Sequence, residues 1–161
     1  MVFVKNTILV LMPTLKQHTV IHALSTEKIN NMAKQQKEYA LQKQVCQYLS
    51  LQYPNVMFMS DTVASVSLTM PQAVRNKAVQ KEDFKCPDLI IFEPKAGHHG
   101  LFLELKAESP YKKDGTLYSN EHLLGQNETI KKLINKGYYA CFVWDFMMAK
   151  NIIDKYMTSN I

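Results

Sequence analysis

Cysteine is scarce and scattered. Cys46, Cys86 and Cys141 are the only three, and no two of them form a Cys-x-x-Cys pair. An odd count at wide spacing argues against a disulfide framework and against a zinc site, and fits a reduced, intracellular (cytoplasmic) compartment. Arginine is nearly absent: of 19 basic residues only Arg75 is Arg. Lysine meets phosphate as a point charge and lacks the planar fork that reads base edges, so little side-chain readout of sequence is expected. Long apolar runs are missing too. Residues 7–12 (TILVLM) are apolar, but one Lys precedes them, Pro13 follows, and no small-residue cleavage site comes after. A bilayer needs about 20 such residues, so this segment is expected to be core or partner-facing structure, not a signal peptide or a membrane span. No internal repeat or low-complexity run is visible.

What remains is an ordinary globular chain. Its 161 residues suffice for one domain with a full core, and 47% apolar with 20% charged residues matches that class. The formal net charge of +5 favours an anionic partner, nucleic acid first. Lys77, Lys81, Lys85, Lys112, Lys113, Lys131 and Lys132 are candidate phosphate contacts, each with an ordinary solvated role as its alternative.

Residues 1–30 are the least legible. A strand followed by a helix through 27–32 is one reading, and an arm packed on another subunit is the other. Spacing predicts a helix over 34–52, with Tyr39, Ala40, Val45, Cys46, Leu49 and Tyr53 on its apolar face and Pro54-Asn55 at its end. Residues 56–59 read as a strand leading to Ser60-Asp61. Over 62–84 the pattern is mixed: Pro71 breaks an apolar run, and 72–81 has the character of a short basic helix. Residues 89–92 and 101–105 are β-rich and separated by a Gly- and His-containing loop, which predicts an antiparallel hairpin. A helix is expected over 121–136 with Leu123, Leu124, Ile130, Leu133 and Ile134 buried and Gly137 as its stop. A buried strand over 138–144 follows, and then a helix to Tyr156 with Asp145 as N-cap. The expected fold class is α/β: a mixed central β-sheet flanked by helices.

The hairpin carries the chemistry. Asp88 heads its first strand, and Glu104 lies near the far end of the second, so antiparallel pairing brings the two carboxylates together. Glu104 and Lys106, two residues apart, share a face. Leu105 turns its side chain the other way and offers its backbone carbonyl. Two acids and a carbonyl suit Mg²⁺ or Mn²⁺, a hard cation that fills its remaining positions with water and substrate oxygens. Such a cation neutralises charge on a phosphodiester under attack and lowers the pKa of its water. Lys106 would orient or deprotonate that water, or stabilise the transition-state charge.

Pro87-Asp88 followed by Glu104-Leu105-Lys106 resembles the PD-(D/E)xK nuclease motif, and more of the chain is similar to its VRR-NUC branch. That branch has a helix bearing Glu, here Glu38 with Gln42 after it. It has a Gln opening the next helix, here Gln126, and a Leu-x-x-x-Gly-Tyr ending, here Leu133 through Gly137-Tyr138. Cys86 stands where the family usually has Gly before the Pro-Asp pair. The resemblance covers roughly residues 34–157, dividing the chain into an N-terminal extension of unassigned role (1–33) and a nuclease domain (34–161). It implies a restriction-endonuclease-like core and a Mg²⁺- or Mn²⁺-dependent deoxyribonuclease, of a small stand-alone kind common in phage and other mobile elements and frequently homodimeric. It also implies a catalytic set of Glu38, Asp88, Glu104, Lys106 and Gln126, with Glu38, Asp88, Glu104 and Leu105 as metal ligands and branched or junction DNA among the substrates.

Each of these residues has a plainer reading. Asp88 after Pro87 is a strand-start residue, and Glu104 with Lys106 an exposed ion pair contributing under about 1 kcal/mol. Glu38 has Lys34, Lys37 and Lys43 nearby as solvated partners. His98 and His99 sit in a loop without acid partners at fixed spacing and read as a polar turn. Glu108 and Asp114 are loop acids expected to face water. Phe142, Trp144 and Phe146 read as core. For the whole chain the alternatives are a non-catalytic nucleic-acid-binding module that retains the nuclease fold, and a structural protein using its apolar N-terminal segment as an arm. Lys106 beside two acids is something a pure binding module does not need.

Overall fold

The computed structural model describes residues 15–61, 68–82 and 84–159, with side chains from residue 26 onward. The chain divides into two units, Met1–Ala33 and Lys34–Ile161. Helix α1 (Leu15–Gln52) supplies the described part of the first and the opening element of the second. It starts well before the predicted 34–52 because no Gly or Pro lies between Pro13 and Pro54 to stop it. Residues 26–37 are all exposed, so this stretch has no apolar face to reveal itself by periodicity. The apolar run 7–12 lies outside the described residues.

Within the second unit the elements are β1 (Phe58–Ser60), α2 (Met70–Ala78), β2 (Leu89–Ile91), β3 (Leu101–Leu105), α3 (Glu121–Asn135), β4 (Tyr139–Val143) and α4 (Phe146–Met157). The sheet order is β1-β2-β3-β4. β1 and β3 are antiparallel to β2, whereas β4 is parallel to β3. A parallel pair needs a crossover, which α3 provides. The mixed sheet flanked by helices is therefore present as expected.

Alternation along β3 sorts the two cores. Leu101, Leu103 and Leu105 join Leu89, Ile91 and Val143 against Leu41, Val45 and Leu49 of α1 and Ala149, Ile153 and Tyr156 of α4. On the other face, Phe102 packs against Ala140, Phe142 and α3's Leu123, Ile130 and Leu133. Each fully buried side chain of this size contributes about 1.5–3 kcal/mol. Glu104 and Phe102 share a parity, so Glu104 lies on the α3 side of the sheet.

Several predicted faces shift. The buried stripe of α1 is Leu41, Val45 and Leu49, while Tyr39 and Ala40 are exposed; four-residue steps from Leu41 describe it better than the mixed steps first read. On α3, Leu123, Ile130 and Leu133 are buried as expected, but Leu124 and Ile134 are exposed. Their neighbours Leu123 and Leu133 already occupy the inward direction, and one residue turns a helix by about 100°. Pro71 does not break a run: it lies in the first turn of α2, where its missing N–H has no partner to lose. The last strand ends at Val143 rather than Trp144, and β1 begins two residues later than expected. Val63 and Val66 lie outside the described residues.

Two predicted helix boundaries hold. Asp145 accepts from Met148 N at 2.8 Å and caps α4. Gly137 ends α3 at φ 84°, and a Cβ there would come within 2.8 Å of the His99 ring. His98 and His99 are packing groups. Their rings meet Tyr139 and Tyr156, and Tyr138, at centroid distances of 5.4, 6.5 and 5.6 Å. They sit at the Ile91–Leu101 end of the hairpin, away from Asp88.

Candidate active site

Leu89 pairs with Leu103, which places Asp88, just before β2, beside the end of β3. The Asp88 carboxylate takes the place of a strand partner: its Oδ2 accepts from Leu105 N at 2.7 Å. An extended residue turns its N–H and C=O to the same edge, so the Leu105 carbonyl faces the Asp88 side. Lys106 Nζ donates to Glu104 Oε1 at 2.8 Å, with Glu104 only 3% exposed and Lys106 16% by side chain. The pair is thus a buried one, not the solvated ion pair of the plainer reading. Gln126 Nε2, from α3, donates to the same Glu104 oxygen.

Glu38 reaches the site from α1. Its Oε1 accepts from Ala107 N at 3.1 Å, so it holds the segment leaving β3 rather than a lysine; Lys37 instead faces Glu108 at 3.6 Å on the surface. One helical turn on, Gln42 Nε2 donates to Ser60 Oγ and Asp61 O at 2.6 and 2.7 Å, and Asp61 N donates to Asp88 O at 2.8 Å. The ends of β1, β2 and β3 are in this way tied to α1 and α3 around one acidic centre.

That centre is under-compensated for its charge. Burial, reinforced by Asp88, pushes the Glu104 carboxyl up to about 7 against the pull of Lys106. Asp88 is raised as well, chiefly by burial and further by Glu38 and Asp61, while the Leu105 N–H and Lys106 oppose the shift. Partial burial and the carboxylates of Asp61, Glu104 and Asp88 raise the Cys86 thiol in turn. Clustered carboxyls that resist ionisation mark a place where added positive charge is favourable.

A divalent cation fits these residues. Among the described residues, no three His, Cys, Asp or Glu side chains gather into a metal-holding group; Asp88 and Glu104 with the Leu105 carbonyl would be the donors, while Glu38, expected as a further ligand, has its Oε1 engaged by Ala107 N. One or two carboxylates plus water is the usual Mg²⁺ arrangement. Gln126 Oε1 is buried with no hydrogen-bond donor. Such an orphan acceptor costs about 1–3 kcal/mol, and a cation's hydration water is the kind of donor that would satisfy it.

The sequence reading passed over two neighbours of this centre. Asp61 acts electrostatically on Asp88, and His122 feels Lys85, Lys106 and Glu38. Ser60-Asp61 was visible as the end of a strand, but only the register Ser60↔Leu89 brings it to Asp88. His122 precedes Gln126 by four residues and so shares its helix face, a spacing that could have flagged it.

Comparison with known proteins agrees with this architecture. No family model matches the chain, and no curated protein does. A solved structure titled VRR_NUC domain protein is similar over 76% of this chain and 88% of that one, at 19% identity and a TM-score of 0.50. The α/β fold, with its four-stranded mixed sheet flanked by helices, is therefore like that of the VRR_NUC domain protein. No described helix is long and apolar enough to cross a membrane.

Proposed function

We propose that the chain is a Mg²⁺- or Mn²⁺-dependent DNA endonuclease of the PD-(D/E)xK type. The observation that carries this reading is the convergence of Asp88, buried Glu104 and Lys106 at the shared end of β2 and β3. Bound there, the cation supplies neutralising charge at the phosphorus oxygens and a water of lowered pKa. Asp88 and Glu104 would hold it, with the Leu105 carbonyl beside them. The Leu105 N–H fixes one Asp88 oxygen, so the other is presented in a set direction. Gln126 fixes Glu104 in the same manner and offers its unpaired Oε1 to a water. Lys106 donates to Glu104 and stands where a developing negative charge would be met. Glu38 keeps the chain after Lys106 in register through Ala107 N and borders the cation site.

The VRR_NUC-like fold supports a nuclease-type activity, and the lysine excess supports an anionic polymer as substrate. Branched or junction DNA is the proposed preference, with a homodimer presenting two sites as the working form and phage or other mobile-element DNA as the setting. The test is a cleavage panel of plasmid, nicked, flap and junction DNA with Mg²⁺ or Mn²⁺, run beside Asp88→Ala, with solution mass measured in parallel. Cleavage lost in Asp88→Ala supports the proposal. DNA binding without cleavage of any substrate rejects it in favour of a binding module.

A further inference from the structure

Lys85 is held in an unusual way for a surface lysine. Its backbone N–H donates to Thr129 Oγ1 at 3.2 Å. Its side chain then runs along the first turns of α3, where Nζ donates to the His122 carbonyl at 3.2 Å and lies 3.3 Å from His122 Nδ1. Gly125 makes that path open: a Cβ there would come within 2.9 Å of Nζ and 3.0 Å of Cε. Glycine inside a helix is normally unfavourable, and here it gives the lysine its seat.

The arrangement also fixes His122. An ammonium has no acceptor, so Nδ1 facing Lys85 must be the acceptor and the ring proton sits on Nε2. Burial, followed by the Lys85 and Lys106 charges, lowers the His122 pKa, in keeping with that neutral tautomer. The pair therefore presents a fixed positive charge and one ring N–H, one helical turn from Gln126, with Lys106 and Glu38 as its electrostatic neighbours.

We propose that Lys85 and His122 form a phosphate-holding subsite beside the cleavage centre, taking the strand phosphate next to the one attacked. This rests on the nuclease reading above. Lys85, one of the seven lysines that are candidates from sequence, is anchored by its side chain to His122, one turn before Gln126. Lys131, by contrast, faces Glu128 on the surface at 2.7 Å.

The test is binding of a labelled mixed-sequence duplex to the full-length chain in EDTA, by fluorescence anisotropy across a salt series. Lys85→Met keeps an apolar stem beside Gly125 and removes the ammonium, its charge and its bonds to His122 together. It should weaken binding about threefold to tenfold and reduce the slope of log K against log salt by about 0.9, one phosphate contact. His122→Ala leaves the backbone acceptor of Lys85 in place; it should weaken binding severalfold with the slope unchanged, because a neutral ring releases no counterion. Lys85→Arg should restore the slope, which a merely structural role would not require. Lys131→Gln should leave affinity and slope as they were. A parent that binds while Lys85→Met matches it in affinity and slope overturns the subsite alone. So does a Lys131→Gln slope change equal to that of Lys85→Met. A parent that binds no DNA at any salt overturns the nuclease reading together with the subsite.

Discussion

Gln126 gives its side-chain N–H to Glu104 and keeps its own carbonyl oxygen buried without a donor. A residue held for stability alone would not be left half-satisfied, since a buried acceptor without a partner is destabilising. The arrangement makes sense if the missing donor arrives with the ligand.

Gln126→Met separates the two roles. It removes the orphan acceptor and the donor to Glu104 together, so the stability change should stay within about 1 kcal/mol. Cleavage should fall about tenfold to a hundredfold, the range for losing a residue that orients a metal ligand. Urea unfolding and single-turnover cleavage measured on the same preparation check both.

The raised carboxyls fix a sign for stability against pH. Glu104 moves from 4.5 in the unfolded chain to about 7 when folded, through burial first and Asp88 second. Between those values the folded state binds more protons than the unfolded one, so stability is highest below the lower value and declines as pH rises toward 7. In EDTA the decline should amount to roughly 1–3 kcal/mol, with Asp88 acting in the same direction. Glu104→Gln should lack that component. Added Mg²⁺ should recover stability at neutral pH and do little near pH 4.5, as thermal melts with and without the cation would reveal.

Glu38 contributes through a hydrogen bond to Ala107 N. Glu38→Gln keeps an acceptor oxygen there and should remain within about 0.5 kcal/mol of the parent, whereas Glu38→Ala strands a backbone donor and should lose about 1–3 kcal/mol. Both variants should cut more slowly than the parent, and Glu38→Gln should be the less impaired. Denaturant melts together with cleavage rates give the comparison.

Much of the hairpin was legible because its signals are local. Apolar runs of strand length around a Gly-containing turn give β2 and β3, and a two-residue step puts Glu104 and Lys106 on one face. Asp145 and Gly137 likewise act where they stand. What escaped is what depends on distant partners. Tyr39 looks like core on a helical wheel but finds nothing to pack against, whereas Leu41 meets the sheet. Asp61 needed the β1–β2 register, and the Lys85 path needed a glycine on a helix forty residues away. Residues 26–37 of α1 are exposed and offer no buried face to read, and the helix there is set by the absence of helix breakers.

The most direct measurement is Mn²⁺ binding by electron paramagnetic resonance, with plasmid nicking read from the same samples, for the parent and for Asp88→Asn. Asparagine keeps an acceptor for Leu105 N and removes the charge. The parent should bind Mn²⁺ and nick, and Asp88→Asn should lose both while its far-UV circular dichroism is unchanged. Nicking by Asp88→Asn at the parent's rate would contradict a cation-centred cleavage site on this hairpin.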